Sequence, residues 1–298
     1  MQRGQRPGSD AVASKGWVRA HLWLLLRRVT QLSILMLFLL GPLAGIWIVQ
    51  GNIASSLTLK VLPLTDPYLA VQALLAGQAL EATALIGTVI VLVFYAVVGG
   101  RAYCSWVCPV NIVTDLAAWL HQRLGIKRTA QFARHSRYWI LAATLVLAVV
   151  TGTLVWELIN PVTTIYRGLI FGVGLAWGLL LAIFLLDLFV SRRGWCGHLC
   201  PMGAFYSLLG KYSLVRVSAV RRDQCDDCMD CFAVCPEPQV IRPALKGASQ
   251  GRGPVILSGN CTNCGRCIDV CDKHVFHFDQ RFNNSTSKPI SQRTEVMP

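Results

Sequence analysis

CDDCMDCFAVCP at residues 225–236 is the stretch that decides the fold of the C-terminal part, and CTNCGRCIDVC at residues 261–271 repeats its cysteine spacing. In both stretches the cysteines are spaced C-x2-C-x2-C-x3-C. Bacterial two-cluster ferredoxins have this spacing, and in them the fourth cysteine of each run ligates the cluster of the other run. The sequence therefore predicts a ferredoxin-like α+β domain that holds two 4Fe-4S clusters.

The pairing rule assigns one set of ligands to each cluster. The first quartet is Cys225, Cys228, Cys231 and Cys271, and the second quartet is Cys261, Cys264, Cys267 and Cys235. Zinc is the alternative occupant, but three thiolates within seven residues suit an iron–sulfur cube better than one tetrahedral ion. Disulfides are less expected, because they belong to oxidising compartments. The second run has Asp272 where the first has Pro236, which removes no ligand.

The composition of the chain indicates a membrane protein. Of its 298 residues 54% are hydrophobic and only 14% are charged, which is too apolar for an ordinary soluble protein. Four stretches are long enough to cross a hydrocarbon core about 30 Å thick. They are residues 30–49, 80–98, 138–156 and 168–190. We therefore predict a membrane all-α bundle of four transmembrane helices before the ferredoxin-like domain.

Lysine and arginine are distributed unevenly around these stretches. Residues 1–28 hold six and residues 101–137 hold six, whereas residues 51–77 and 157–167 hold one each. By the positive-inside rule both termini, the loop 101–137 and the ferredoxin-like domain are expected to be cytoplasmic, in a multi-pass protein of the bacterial inner membrane. The net charge of +13 points to anionic lipid as a partner. The sequence has no basic run interleaved with aromatic residues, so nucleic-acid binding is not indicated.

The remaining four cysteines form a second repeated motif, CxxxCP. They are Cys104 and Cys108, followed by Pro109, and Cys196 and Cys200, followed by Pro201. Each motif follows a predicted span, so the chain resembles two tandem span-span-CxxxCP units, an arrangement that often places a shared site between the halves. If the motifs converge, these four cysteines, the third quartet, are redox or metal thiols that hold a metal or a third cluster, or form a disulfide. The structural alternative is that they are small buried apolar residues.

Other cofactors have no recognisable site in the sequence. The six histidines all lie outside the predicted spans, and no C-x-x-C-H occurs, so haem is not expected. No glycine-rich dinucleotide or triphosphate motif is present, so neither a flavin nor a nicotinamide has an evident site. Asp66, Glu157 and Asn160 are candidates for contact with a quinol head group. Glu81 and Asp187, near the ends of spans, are expected to reach the interface.

With these motifs assembled, the chain resembles the NapH-type ferredoxins of periplasmic nitrate reductase systems, within a wider NapH/NosR/CcoG-like family. The resemblance runs from about residue 15 to residue 278. It is carried by YCSWVCP at 103–109, GWCGHLCP at 194–201 and CPEP at 235–238, together with PLTDP at 63–67 and WELINPV at 156–162.

The resemblance implies a membrane iron–sulfur subunit of a quinol dehydrogenase. Electrons would pass from ubiquinol or menaquinol, with a NapG-like iron–sulfur protein and a NapC-like multihaem cytochrome, to the periplasmic nitrate reductase. A cytoplasmic ferredoxin-type protein is a further expected partner, and this chain itself is not expected to reduce nitrate. The alternative, from CcoG-like relatives, is an assembly or metal-handling factor for a respiratory oxidoreductase that uses the CxxxCP thiols.

We expect four segments. A basic N-terminal segment covers residues 1–29, a transmembrane domain with both CxxxCP motifs covers 30–214, the ferredoxin-type domain covers 215–280, and a polar tail, predicted to be disordered, covers 281–298. Short β-prone runs at 214–217 and 255–257 support the ferredoxin-like fold. Residues 239–259 are expected to form a loop or a partner-binding surface.

Overall fold

The computed structural model describes residues 7–126, 130, 133–172 and 174–283. The predicted polar tail therefore lies outside the described residues from position 284 onwards, as do the first six residues of the basic segment. Helices dominate the described chain up to residue 212, and a small α+β domain follows.

The first part of the chain runs from the N-terminus to the first CxxxCP motif. Its helices are α1 (Ser9–Lys15), α2 (Trp17–Ala20), α3 (Leu22–Ala44), α4 (Pro67–Leu75), α5 (Ala82–Val98) and α6 (Ala102–Trp106). An antiparallel sheet lies between α3 and α4, with strands β1 (Val49–Gly51), β2 (Ser55–Thr58) and β3 (Leu62–Thr65) in that order.

The second part leads through the second CxxxCP motif. Its helices are α7 (Val110–Arg123), α8 (Ser136–Thr151), α9 (Val155–Ile159), α10 (Pro161–Phe171), α11 (Gly174–Leu185) and α12 (Pro201–Leu209), with π-helical turns at Leu186–Val190 and Trp195–Leu199. The C-terminal domain contains β4 (Val215–Ser218), α13 (Asp230–Val234), α14 (Ile241–Lys246), α15 (Arg266–Val270) and β5 (His277–Gln280), and β4 pairs antiparallel with β5.

The prediction of a four-helix transmembrane bundle is wrong. Among the described residues, α3 is the one helix long and apolar enough to span a membrane, with 23 residues. The other apolar helices, Ala82–Val98, Ser136–Thr151 and Ala176–Val190, have between 10 and 17 residues. At about 1.5 Å per residue, 17 residues cover only about 25 Å of a core about 30 Å thick. The tandem span-span-CxxxCP units and the multi-pass topology therefore lose their basis.

The physical reason lies in where the helices end. The predicted windows 138–156 and 168–190 each continue through a glycine that closes a helix. Gly152 ends α8 and Gly172 ends α10, with φ angles of 63° and 65° in the left-handed region, where glycine is the preferred residue. Because the residues on both sides of each glycine are apolar, hydropathy alone does not show where these helices end.

The N-terminal helices are fixed to the C-terminal domain through Asp269. Its side chain is buried and accepts hydrogen bonds from the backbone N–H groups of Trp23 (3.0 Å) and Leu24 (3.1 Å) at the start of α3. The Lys15 ammonium donates to the carbonyl oxygens of Ile268 and Asp269. A carboxylate at the beginning of a helix also stabilises the helix dipole, so the start of α3 is well anchored on α15.

The core of the C-terminal domain differs from the expectation in one segment. The run 214–217 does form most of β4, whereas 255–257 contributes only an isolated bridge between Val255 and Ser218. Residues 239–259 were expected to form a loop or a partner-binding surface, and they contain the short helix α14. Ile241 and Leu245, one helical turn apart, are buried in the domain core, and this burial stabilises the short helix.

Candidate metal centres

The two ferredoxin-type runs cross over, so that each run shares its cavity with the last cysteine of the other. The first quartet lines one cavity and the second quartet lines another. The geometry therefore brings together the same two sets of four thiols that the pairing rule gives. Apolar side chains, including Phe232 and Phe276, close the first cavity.

The backbone of the two runs is nearly the same. In each run the residues on either side of the second cysteine have positive φ angles. They are Asp227 (63°) and Met229 (67°) in the first run, and Asn263 (46°) and Gly265 (71°) in the second. A one-turn helix, α13 or α15, follows directly. This repeated turn folds three thiols of each run around one cavity, which is the arrangement that a cubane cluster requires.

The two CxxxCP motifs converge. The third quartet, Cys104, Cys108, Cys196 and Cys200, lines a cavity between α6, the turn Trp195–Leu199 and α9. The prolines place the last cysteine of each motif at the beginning of a helix, because Pro109 precedes α7 and Pro201 is the first residue of α12. None of the twelve cysteines is joined in a disulfide. What the third quartet binds stays a prediction.

Each quartet of thiols is grouped around its own cavity. Within the part of the chain that the structure describes, no group of three or more His, Cys, Asp or Glu side chains is placed to hold one metal ion. Each quartet instead surrounds a cavity. Four thiols around one cavity suit a cube with one thiolate at each iron.

Burial controls the protonation of these thiols. It raises the pKa of Cys200 and Cys231 to about 12 and that of Cys228 and Cys261 to about 11. For Cys104 burial also raises the pKa, and the nearby charge of Arg101 offsets this only in part. Without a metal these thiols are therefore protonated at neutral pH, so metal binding must release protons.

Comparison with known proteins identifies the family. The description "4Fe-4S binding domain" matches residues 81–127 and 173–221, which include both CxxxCP motifs, and "4Fe-4S dicluster domain" matches residues 224–288. The methylamine utilization ferredoxin-type proteins MauN of Methylorubrum extorquens and Paracoccus denitrificans are 54% and 56% identical, over 92% and 91% of this chain and 94% and 95% of their own. The ferredoxin-type protein NapH of Escherichia coli is 47% identical over 95% of this chain and 98% of its own.

The chain belongs to the MauN/NapH family of ferredoxin-type proteins. The resemblance to NapH-type proteins is confirmed, and MauN proteins are equally part of the family. This member is an iron–sulfur electron-transfer protein. No solved structure matches the chain.

A buried charge cluster, not anticipated from the sequence, connects the two parts of this MauN/NapH-family protein. Glu237 Oε1 accepts hydrogen bonds from Arg101 Nη1 at 2.6 Å and from Arg137 Nη1 at 2.9 Å, and all three side chains are buried. Burial alone would raise the pKa of Glu237, but the charges of the two arginines outweigh it and hold the pKa at about 2. Glu237 directly follows Cys235-Pro236, so this ion pair attaches the second quartet to the CxxxCP region.

The equivalent arginine of the second CxxxCP motif is also paired. Arg193 Nη1 lies 2.9 Å from Asp115, which additionally contacts Arg27 at 3.1 Å and Arg28. Burial would raise the pKa of Asp115, but the arginine charges lower it overall. The only sequence signal for either cluster was the repeated arginine three residues before the first cysteine of each motif, at positions 101 and 193.

Hydrogen bonds place the third quartet beside the second. Ser105 Oγ donates to the carbonyl oxygen of Thr262 at 2.7 Å, and Trp106 Nε1 donates to that of Asn263 at 3.0 Å. Ser105 follows Cys104 in sequence, and Thr262 and Asn263 lie between Cys261 and Cys264. The two sites are therefore joined by direct contacts between residues adjacent to their cysteines.

The candidate quinol residues have structural partners. Asp66 is the N-cap of α4 and accepts from the backbone of Tyr68 and from the Tyr206 hydroxyl at 3.0 Å. Asn160 caps α10, and Glu157 pairs with Arg167 at 3.5 Å.

The two acidic residues expected to reach the interface behave differently from each other. Asp187 is fully buried, contrary to the expectation, and accepts a hydrogen bond from the Trp195 N–H at 2.9 Å. It thereby fixes the turn that carries Cys196. Glu81 is exposed at the start of α5.

Proposed function

We propose that this protein is a membrane-attached electron-transfer subunit that receives electrons from quinol and passes them to partner redox proteins. The first and second quartets would hold one 4Fe-4S cluster each, in the pairing of two-cluster ferredoxins. Such clusters accept and donate single electrons when bound. The observation that carries the proposal is the pair of four-thiol cavities formed by crossed-over cysteine runs.

Helix α3 is the proposed membrane attachment. Its 23 residues extend about 35 Å, enough for a hydrocarbon core about 30 Å thick. Val29, Leu32 and Met36 on this helix are exposed by 61%, 53% and 61%, which suits contact with lipid. Helices α1 and α2 of the basic segment pack on α15, so the positive-inside rule supports a cytoplasmic position for the cysteine domain.

The electron donor and acceptor are inferred from the family. A quinol is a donor dissolved in the membrane, which suits a cysteine domain anchored at the start of a spanning helix. In the nitrate reductase system, NapG-like and NapC-like proteins would be the partners. A second candidate, electron transfer in methylamine utilization, is favoured by the higher identity to MauN proteins, 54% and 56% against 47% for NapH.

A gene deletion in the host organism separates the two systems. Cells without the gene are tested for nitrate-dependent and for methylamine-dependent growth, and for the rate at which quinol-derived electrons reach each acceptor. We expect one of the two activities to fall and the wild-type gene to restore it. Complementation by Cys225→Ser/Cys261→Ser should fail, because each substitution removes a ligand of a different quartet.

The matched control is Phe282→Ala, a substitution at a side chain of the same domain that is 75% exposed and should restore activity fully. Variant levels in isolated membranes are compared by immunoblot. Restoration by the double cysteine variant, at equal protein level, would show that electron transfer through these quartets is not the function.

A further inference from the structure

We propose that the third quartet holds a third 4Fe-4S cluster, placed next to the second quartet. This inference deepens the proposed function, because it adds a station to the same electron route. The proposal concerns the iron content of the protein, however, and its test does not depend on quinol or on any partner.

The shape of the site is the first argument. The third cavity, like the other two, is lined by four cysteines. No three of the described His, Cys, Asp or Glu side chains are placed to share a single ion. The third quartet therefore has the same number of thiols around one cavity as the two ferredoxin-type sites, which favours the same kind of occupant.

The backbone around two of the thiols is arranged for anionic sulfur. Cys108 accepts hydrogen bonds from the N–H groups of Val110 and Asn111 at the start of α7, and Cys200 accepts from those of Met202 and Gly203 at the start of α12. Charge-assisted hydrogen bonds and helix N-termini both stabilise negative charge. Both motifs therefore present backbone N–H donors to the sulfur of their last cysteine.

Charge and unpartnered donors give the third argument. Arg101 interacts electrostatically with Cys104 and Cys196, and it and Arg137 share a single carboxylate, Glu237. These three residues therefore leave one surplus positive charge beside the cavity, which suits an anionic cluster. Trp156 lines the cavity, and its indole N–H has no partner among the described residues, nor does Arg101 Nε. Buried donors normally have an acceptor, and cluster sulfur would provide one.

The location of the third quartet beside the second suits it for electron transfer. The bonds from Ser105 to Thr262 and from Trp106 to Asn263 connect the first CxxxCP motif to the loop between Cys261 and Cys264. A cluster in the third quartet would therefore be the immediate neighbour of the second quartet. The match of a 4Fe-4S binding domain to residues 81–127 and 173–221 covers all four cysteines.

Iron and sulfide analysis tests the proposal. The full-length protein is purified anaerobically in detergent, reconstituted to saturation with iron and sulfide, and freed of unbound iron. We expect about twelve iron atoms and about twelve sulfides per chain, the content of three cubane clusters. The variant Cys104→Ser/Cys196→Ser should retain about eight of each, with the Mössbauer and EPR signals of the ferredoxin-type clusters unchanged.

Variants of the other quartets separate this proposal from the proposed function. Cys225→Ser/Cys261→Ser should lose about eight irons and keep the signal of the third site. Wild-type protein with about eight irons, unchanged in Cys104→Ser/Cys196→Ser, would overturn the third cluster and leave the two-cluster proposal intact. One zinc or copper ion per chain, or a Cys104 or Cys108 disulfide found by mass spectrometry, would also overturn it. The iron content of the wild-type protein decides the outcome. The proposal can therefore be refuted even if a variant fails to fold.

Discussion

At the scale of single residues, buried charges hold the two parts of the molecule together. Glu237 stands directly after the ferredoxin-type run, yet both of its arginine partners lie in the helical part. The cysteine pairing of the first two quartets was available from spacing alone. The partners of Glu237 were not, since Arg101 and Arg137 are 136 and 100 residues away in sequence and no local pattern predicts such contacts.

Replacing Glu237 with glutamine leaves two buried guanidinium groups without a carboxylate. Loss of one partner from a buried ion pair typically costs about 3–5 kcal/mol, so we expect a large fall in the free energy of unfolding. Denaturant titration followed by fluorescence measures it. The control is Glu157→Gln, because its partner Arg167 is 58% exposed and such pairs contribute at most about 1 kcal/mol. Equal effects of the two substitutions would contradict the structural role of Glu237.

The crossed-over pairing makes a separate prediction about EPR spectra of the reduced protein. Cys271→Ser should alter the same signal as Cys225→Ser, and Cys235→Ser should alter the same signal as Cys261→Ser. The reason is that each cavity combines three cysteines of one run with the fourth of the other. If Cys271→Ser instead changed the signal altered by Cys261→Ser, each run would hold its own cluster and the pairing would be wrong.

At the scale of helices and strands, tertiary contacts decided what local sequence did not. The apolar helix α4 was not recognisable as a core element, yet Tyr68 and Gln72 are fully buried. Tyr68 Oη bonds to Thr144 Oγ1 at 2.7 Å and accepts from Gln72 Nε2 at 2.9 Å. Its N-cap is more predictable, because Asp66 before Pro67 is a typical helix start.

Asp66 should make stability depend on pH. Burial raises its pKa from 3.8 to about 6, so the folded state favours the protonated acid. That stabilisation is complete below pH 3.8 and is lost as the pH rises through about 6, a change of about 3 kcal/mol. Asp66→Asn keeps a capping oxygen but does not titrate, so the variant should melt above the wild type at pH 7.5 and show a smaller change between pH 5 and 7.5.

Thermal melting curves at several pH values test this, with Asp223→Asn at an exposed position as the control that should retain the wild-type pH profile. An Asp66→Asn protein that loses stability with rising pH as steeply as the wild type would exclude Asp66 as the source.

Helix α12 packs directly against Gly100, which lies shortly before the first CxxxCP motif. A Cβ atom at Gly100 would lie 2.0 Å from the Tyr206 carbonyl oxygen and 2.4 Å from the Gly210 nitrogen. Gly100→Ala should therefore displace α12 and lower the melting temperature by several degrees. Gly178→Ala on α11 is the matched control, since its Cβ meets nothing within 4 Å, and alanine there should be neutral or stabilising. A Gly100→Ala protein as stable as this control would refute the close packing.

At the scale of the whole molecule, the cysteine sites were foreseeable and the membrane arrangement was not. Spacing identified the three groups of cysteines because ligand geometry is local in sequence. The predicted number of spanning helices was wrong because the apolar sequence continues across Gly152 and Gly172, whereas the helices end there. Composition and periodicity do not predict the buried ion pairs. Those of Asp115 connect helices within the helical part, and those of Glu237 connect the helical part to the cysteine domain.

The central claim is that quinol supplies electrons to the cysteine-bound clusters of this protein. The most direct measurement is anaerobic mixing of the detergent-solubilised holoprotein with ubiquinol or menaquinol, followed by EPR of the reduced clusters and then by addition of dithionite. We expect at least one of the quinols alone to produce part of the signal that dithionite produces. Clusters that dithionite reduces, but that neither quinol reduces, would contradict it.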